Sequence, residues 1–372
     1  MLRWARERAR LDIGALEGRF PRLGDWESRR SEPTLKQLEN YARVTHAPIG
    51  YLFLETPPDE PVPIPDFRTI AGRSIGHPSP DLLETIYVCQ ERQAWYQDFA
   101  RVTGQQPLHF VGSMTINTPA VDAANAMRAA LGFDLSARAA CSTWEEALRL
   151  FIDQTDMAGV MVMVSGVVLN NNYRHLDPSE FRGFALSDNS APLVFVNGAD
   201  TKSAQMFTLA HELAHIWLGE TALSDATAER VPSQVVEAWC NNVAAELLVP
   251  LVALRSEIRA GEALENSLLR LARRFKVSTL VVLRRLFDAG QLGRAEYFAA
   301  YEQELNRLLV IISGSGGNFY RTTASRVSKR FARALVESTL EGRTLYRDAF
   351  RMLGVSKTST FNEFGRSLGF PI

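Results

Sequence analysis

The stretch Met206-Phe-Thr-Leu-Ala-His-Glu-Leu-Ala-His-Ile-Trp-Leu218 constrains this chain more than any other. Its only polar residues are Thr208, His211, Glu212 and His215. A helix that is apolar all round has to be buried. Positions i and i+4 project from one helical face, so His211 and His215 are placed to grip a single metal ion, with Glu212 beside it. A carboxylate buried without a partner costs several kcal/mol, and a metal-bound water would satisfy it. Zn2+ suits neutral imidazole nitrogens, and three protein ligands leave one position for water. The ion lowers the pKa of that water to about 7, so Glu212 can accept its proton and pass it to a leaving amine.

The third ligand is expected from the helix at Ser233–Val249, which carries two acids, Glu237 and Glu246. They stand half a turn out of phase at about 3.6 residues per turn, so only one can face the metal. Glu237 shares its face with Asn241, Ala244, Ala245 and Leu248. The alanines let two helices approach closely, and Asn241 is placed to orient the carboxylate by a hydrogen bond. Glu246 shares its face with Trp239 and Val243 and reads as a solvated or structural ion-pairing acid. We therefore expect a metal at His211, His215 and Glu237, with Glu212 as the catalytic base.

Phe207-Thr-Leu-Ala-His-Glu-Leu-Ala-His215, followed by Glu237-Ala-Trp-Cys-Asn241 and Ala244-Ala-Glu-Leu-Leu-Val-Pro250, resembles the ImmA/IrrE-type metallopeptidases over roughly residues 155–290. The resemblance implies a compact zincin fold that binds Zn2+ through His211, His215 and Glu237, with Glu212 as base. It also implies the cleavage of a transcriptional repressor, or an antitoxin-like role beside a toxin. Many members carry an XRE-like helix-turn-helix ahead of the peptidase domain.

Such a module is expected at residues 1–55. Hydrophobic spacing predicts five short helices, at Leu2–Arg10, Ile13–Phe20, Arg22–Arg30, Thr34–Val44 and Pro48–Leu54. Trp26-Glu-Ser28 with Glu32-Pro-Thr-Leu-Lys-Gln-Leu-Glu-Asn-Tyr-Ala42 resembles the corresponding stretch of XRE/Cro-type repressors. The resemblance implies that the third helix enters the major groove of promoter DNA, with Arg22, Asp25, Arg29 and Arg30 at bases or phosphates. Two departures stand out: Gly14-Ala15 replaces the usual Thr-Gln, and Ser28-Arg29-Arg30 lacks the usual turn glycine. Glu55–Pro65 then holds five prolines. Proline fixes φ and lacks an N–H, so residues 56–79 read as a stiff linker.

Helices are expected at Pro80–Val102, Thr118–Leu131 and Thr143–Thr155. Val- and Met-rich Met157–Leu169, with Phe181–Ser187 and Pro192–Asn197, predicts a small antiparallel sheet. Leu193–Asn197, just before the metal helix, is the strand expected to pair with an extended substrate. Tyr173 or His175 is placed to bind an oxyanion, unless Asn170–His175 is simply a polar turn. His46, His77 and His109 lie outside any metal-like spacing and read as ordinary surface or packing residues. A strand is expected at Leu308–Ser313, entering a turn at Gly314–Asn318.

Charge divides the chain unevenly. Residues 1–45 sum to +3 and residues 307–372 to +7, against −1 for the whole. Arg326, Lys329, Arg330 and Arg333 are spaced to line one face of a helix at Ser325–Thr339, opposite Val327, Phe331, Ala334 and Leu335. That cationic face is expected to meet an acidic protein or nucleic acid. Composition excludes collagen-like and wholly disordered chains: 46% of residues are apolar and 22% charged. No apolar run approaches the roughly 20 residues of a membrane span, and no signal peptide is visible. Three widely spaced cysteines suit a reducing cytoplasm.

The expected fold is α+β, mostly α. It comprises a helix-turn-helix module at 1–55, a Pro-rich linker at 56–79, a zincin-like domain with a helical extension at 80–305, and a basic helical region at 306–372. The expected function is zinc-dependent endopeptidase of regulatory type, acting on a repressor or other partner protein. The alternative is a DNA-binding regulator or antitoxin paired with a toxin, its zincin domain used mainly for binding.

Overall fold

The computed structural model describes residues 1–67, 69–70, 73–74, 78–224, 234–309 and 326–372. It is mostly helical, with a small four-stranded sheet and a two-stranded one among the described residues. The chain divides into two compact units: Met1–Pro63 with Arg73–Tyr87, and Ile64–Gly72 with Val88–Ile372. Among the described residues, no single helix is long and apolar enough to cross a membrane.

The first unit is built from α1 (Leu2–Arg8), α2 (Ile13–Glu17), α3 (Leu23–Glu27), α4 (Leu35–Thr45) and a 3-10 turn at Ile49–Phe53. Asp12 caps α2, and Thr34 with Gln37 forms a capping box on α4. Ala5, Leu16, Phe20, Leu23, Trp26, Tyr41 and Ala47 make a separate core. The Phe20 ring meets Tyr41 edge-on at 5.4 Å and Trp26 at 6.0 Å. Helix α3 is shorter than expected. Arg22 only caps it, and Arg29 and Arg30 lie beyond its end. The Ser28 hydroxyl donates back to Gly24 O at 2.7 Å, and Arg29 turns left-handed at φ 60°, at the point where the usual turn glycine is missing.

Two two-residue strands follow, β1 (Thr69–Ile70) and β2 (Arg73–Ser74), then α5 (Pro80–Val102). The second unit continues through α6 (Ala120–Leu131), α7 (Leu135–Ala140) and α8 (Trp144–Ala158) into β3 (Met161–Ser165), β4 (Gly183–Leu186) and β5 (Leu193–Asn197). Helix α9 (Lys202–Leu218), β6 (Ala222–Ser224) and α10 (Val235–Leu248) complete the centre. The sheet order is β3-β5-β4-β6. It is mixed rather than purely antiparallel. After the β4–β5 hairpin, β5 inserts between β3 and β4, so it runs parallel to β3 and antiparallel to β4. Gly166 and Gly198 allow this insertion, since a Cβ on Gly166 would lie 2.9 Å from Ala199 N. Helix α8 runs further than expected, to Ala158, so the Met157–Leu169 stretch yields a single strand. Neither α7 nor β6 is an expected element; both are short and lie in polar stretches.

Helices α11 (Leu251–Glu257), α12 (Leu264–Phe275), α13 (Thr279–Asp288) and α14 (Arg294–Leu309) follow. The strand expected from Leu308 begins inside α14, and its remainder, with the Gly314–Asn318 turn, lies outside the described residues, as does His77. The chain ends in α15 (Lys329–Leu340), α16 (Tyr346–Leu353) and α17 (Thr358–Ser367).

The expected cationic face is open only in part: Lys329 and Arg333 are exposed, whereas Arg326 and Arg330 are half-buried. Ser328 interrupts the row at φ 66° and caps α15 through Phe331 N, so Arg326 stands outside that helix. Arg326 donates to Asn170 Oδ1 at 2.9 Å, and Lys329 pairs with Asp153 at 2.6 Å. Arg330 lies over Tyr96, and Arg333 donates to Leu368 O.

Candidate metal centre

Helix α9 supplies both histidines and Glu212. Thr201 caps its start by accepting from Ala204 N, and Gly219 ends it at φ 76°. Every residue from Gln205 to Trp217 is buried. The helix packs against β4, β5, α8 and α10. The close pairing with α10 brings Glu237 to the histidines.

His211 Nε2 lies 3.2 Å from one Glu237 oxygen, and His215 Nε2 lies 3.1 Å from the other. The two Nε2 atoms are 3.2 Å apart. His211, His215 and Glu237 offer three ligand atoms within 4.8 Å of one another, all buried. Asn241 lies across from His211 Nδ1 at 2.8 Å, which fixes the ring and aims Nε2 into the cluster. Asn241 thus orients a histidine, not the Glu237 carboxylate as expected. Ser224 of β6 places its hydroxyl 3.3 Å from His215 Nε2.

Glu212 is completely buried, and neither carboxylate oxygen has a hydrogen-bond partner among the described residues. Burial pushes its carboxyl up to about 8; the charge of His211 opposes this and that of Glu237 adds to it. Burial would also raise Glu237, but His211 and His215 outweigh it and hold this carboxylate well below its ordinary range. For His211 the charge of Glu237 overcomes burial and raises the pKa, whereas burial keeps His215 below its usual value. Two ring nitrogens and a carboxylate facing one another in the buried interior, beside a second carboxylate with no hydrogen-bond partner among the described residues, form a donor set suited to Zn2+.

Glu246 sits elsewhere on α10, in a buried ion pair with Arg285. Tyr173 stands 96% exposed, and His175 pairs with Val167 in an isolated bridge. Among the DNA-contact candidates, Arg22, Arg29 and Arg30 are exposed, and Asp25 is half-buried and paired with Arg30 at 3.0 Å. Strand β5 is interior to the sheet, with β3 on one side and β4 on the other, so Leu193–Asn197 has no free edge for a substrate. The edge next to the histidines is β6. Sequence reasoning missed Ser224 and β6 because three residues between a loop and a helix carry too little periodicity. It missed Gly183 of β4 as well, whose missing side chain makes room for Glu212.

Residues 156–287 match the family model of the IrrE N-terminal-like domain (Peptidase_M78). The match spans the sheet, both helices of the cluster and α11–α13. The resemblance to ImmA/IrrE-type metallopeptidases is therefore supported over this span. Residues 327–367 match a second model, a domain of unknown function (DUF8813), which covers the whole of α15–α17. A comparison with curated proteins found no match.

Proposed function

We propose that this chain is a zinc-dependent endopeptidase that cleaves a regulatory protein, such as a transcriptional repressor. One observation carries the reading. The ligand atoms of His211, His215 and Glu237 cluster in the buried interior, while neither oxygen of the neighbouring Glu212 has a hydrogen-bond partner among the described residues. Those three residues would hold Zn2+, which when bound supplies Lewis-acid polarisation of a peptide carbonyl and makes a nearby water acidic. Asn241 holds the His211 ring in place. Glu212 takes the proton of the attacking water and delivers it to the leaving amide nitrogen. Its burial excludes bulk water that would otherwise compete for that proton. An extended polypeptide substrate pairs along the outer edge of β6, where main-chain hydrogen bonds give affinity. Three free thiols, Cys89, Cys141 and Cys240, support a reducing compartment such as the cytoplasm.

The test joins metal analysis to cleavage. Purified protein should hold about one zinc per chain, and His211→Ala should hold none. Glu212→Gln should keep the zinc yet lose about 10²–10⁴-fold in cleavage of proteins encoded beside this gene. Wild-type cleavage rates in that variant would refute the general-base role.

The second reading, a DNA-binding regulator or antitoxin, is supported by the exposed arginines 22, 29 and 30 of the first unit. It is tested by gel shift of the full chain on its own promoter at several salt concentrations. Replacing Arg29 and Arg30 with alanine should weaken binding and flatten the salt slope by about 0.9 per lost contact.

A further inference from the structure

The outer edge of β6 is already taken. Leu223 faces away from β4 with both its main-chain groups, and the chain's own segment Pro65–Phe67 pairs with them. The Leu223 N–H donates to Pro65 O at 2.9 Å, and the Phe67 N–H donates to Leu223 O at 2.9 Å. Asp66 lies opposite Leu223 in parallel register. Proline cannot donate, so this ladder starts where the proline-rich run stops: Pro65 contributes only its carbonyl, and Phe67 supplies the first N–H. Ile64 is buried just ahead of it. The Phe67 ring then stacks on His215, with centroids 6.2 Å apart and planes 30° apart. The next residue of β6, Ser224, touches the same histidine.

An extended polypeptide arriving at the cluster needs two things: the unpaired main-chain groups of the edge strand, and apolar surface beside the histidines. Pro65–Phe67 occupies both. We propose that this segment is a built-in occupant of the substrate edge, and that a substrate reaches the site only after the segment lifts off. The inference rests on the metallopeptidase reading above. An edge accepts one strand at a time, so the two docking events exclude each other. The main-chain ladder between this segment and β6 is only one residue of β6 long, at Leu223. A longer extended segment with an aromatic or apolar side chain in the place of Phe67 displaces it.

The experiment uses the full chain loaded with zinc, and phenanthroline as the probe of access. Phe67→Ala should release zinc to phenanthroline about tenfold faster than wild type, because local opening no longer limits entry. Phe67→Leu, which keeps an apolar cover, should fall near wild type. Amide hydrogen exchange, read in parallel, should show Leu223 protected in wild type and unprotected in Phe67→Ala. Protection along α9 should stay unchanged, which certifies the fold of the variant. Equal release rates in wild type and Phe67→Ala, with zinc bound to both, would overturn the proposal and leave the metal site standing. An unprotected Leu223 amide in wild type would also overturn it. Absence of zinc from the wild-type protein overturns the site reading itself, and the occupant proposal falls with it.

Discussion

At Gly183 the Thr208 methyl, the Phe195 carbonyl and the Glu212 side chain together leave no room for a side chain. A Cβ there would lie 2.6 Å from Thr208 Cγ2, 2.8 Å from Phe195 O and 3.1 Å from Glu212 Cγ. Gly183→Ala should therefore push Glu212 aside. The expected result is full zinc occupancy, a reduced cleavage rate, and about 1–3 kcal/mol of lost stability from overpacking. Zinc analysis with thermal unfolding checks it; an unchanged rate would remove Gly183 from the positioning of the base. The two acids of α10 give a second contrast. Glu237→Ala should abolish zinc binding. Glu246→Ala should keep zinc but remove one of the two acids that face the buried Arg285 guanidinium; Asp288 at 3.2 Å and Val249 O at 2.9 Å still hold it, so the loss should be about 1–3 kcal/mol. Zinc retained by the first variant and lost by the second would reverse the assignment of the two acids.

At the scale of elements, the first unit is tied together by α1 and α3. Arg6 of α1 grips Glu27 of α3 at 2.7 and 3.1 Å, and Arg3 adds a longer contact. The Arg6 hydrogen bond outweighs burial and holds the Glu27 carboxyl below its ordinary 4.5. A carboxylate depressed on folding stabilises above its unfolded pKa, and that contribution is lost as pH falls through the folded value. Exchange protection of α1 and α3 should therefore decline on acidification below about pH 4.5. Glu27→Gln should remove that pH dependence and lower protection at neutral pH, by about 1–3 kcal/mol for a buried charge-assisted pair. A Glu27→Gln protein that keeps the wild-type acid sensitivity would place the titrating group elsewhere.

Across the whole molecule, buried and half-buried polar groups attach the C-terminal helices to the domain around the sheet. Asp156, at the end of α8, accepts from Ser328 Oγ at 2.7 Å, from Arg330 N at 3.1 Å and from Val162 N at 3.2 Å. Arg92 of α5 donates twice to Met352 O, at 2.8 and 3.0 Å. Asn170 donates to Gly354 O at 2.7 Å. Asp156→Ala would leave three donors without their acceptor, at about 1–3 kcal/mol for each that stays buried. Exchange in α15–α17 should then precede exchange in α9, a difference that mass spectrometry of exchanged peptides resolves. If α15–α17 stay as protected as in wild type, Asp156 is not what holds them.

The legible part of this protein is what short-range pattern encodes. Helix α9 announces itself by an apolar run with histidines one turn apart, and the half-turn phase between Glu237 and Glu246 follows from helical geometry. The proline run marks the change between units because proline cannot donate to a ladder or sit in a helix interior. What pattern leaves open depends on residues distant in sequence. The insertion of β5 between β3 and β4 turns an antiparallel expectation into a mixed sheet and moves the edge beside the histidines from Leu193–Asn197 to β6, where Pro65–Phe67 covers it. Asn241 reaches His211 rather than Glu237 because the two helices meet at a register that neither encodes alone. The basic row at Arg326–Arg333 looks solvent-facing by periodicity, yet Asn170, Asp153, Tyr96 and Leu368 meet it from elsewhere in the chain. Local sequence sets which faces are polar or apolar; only the folded chain decides which partner each face receives.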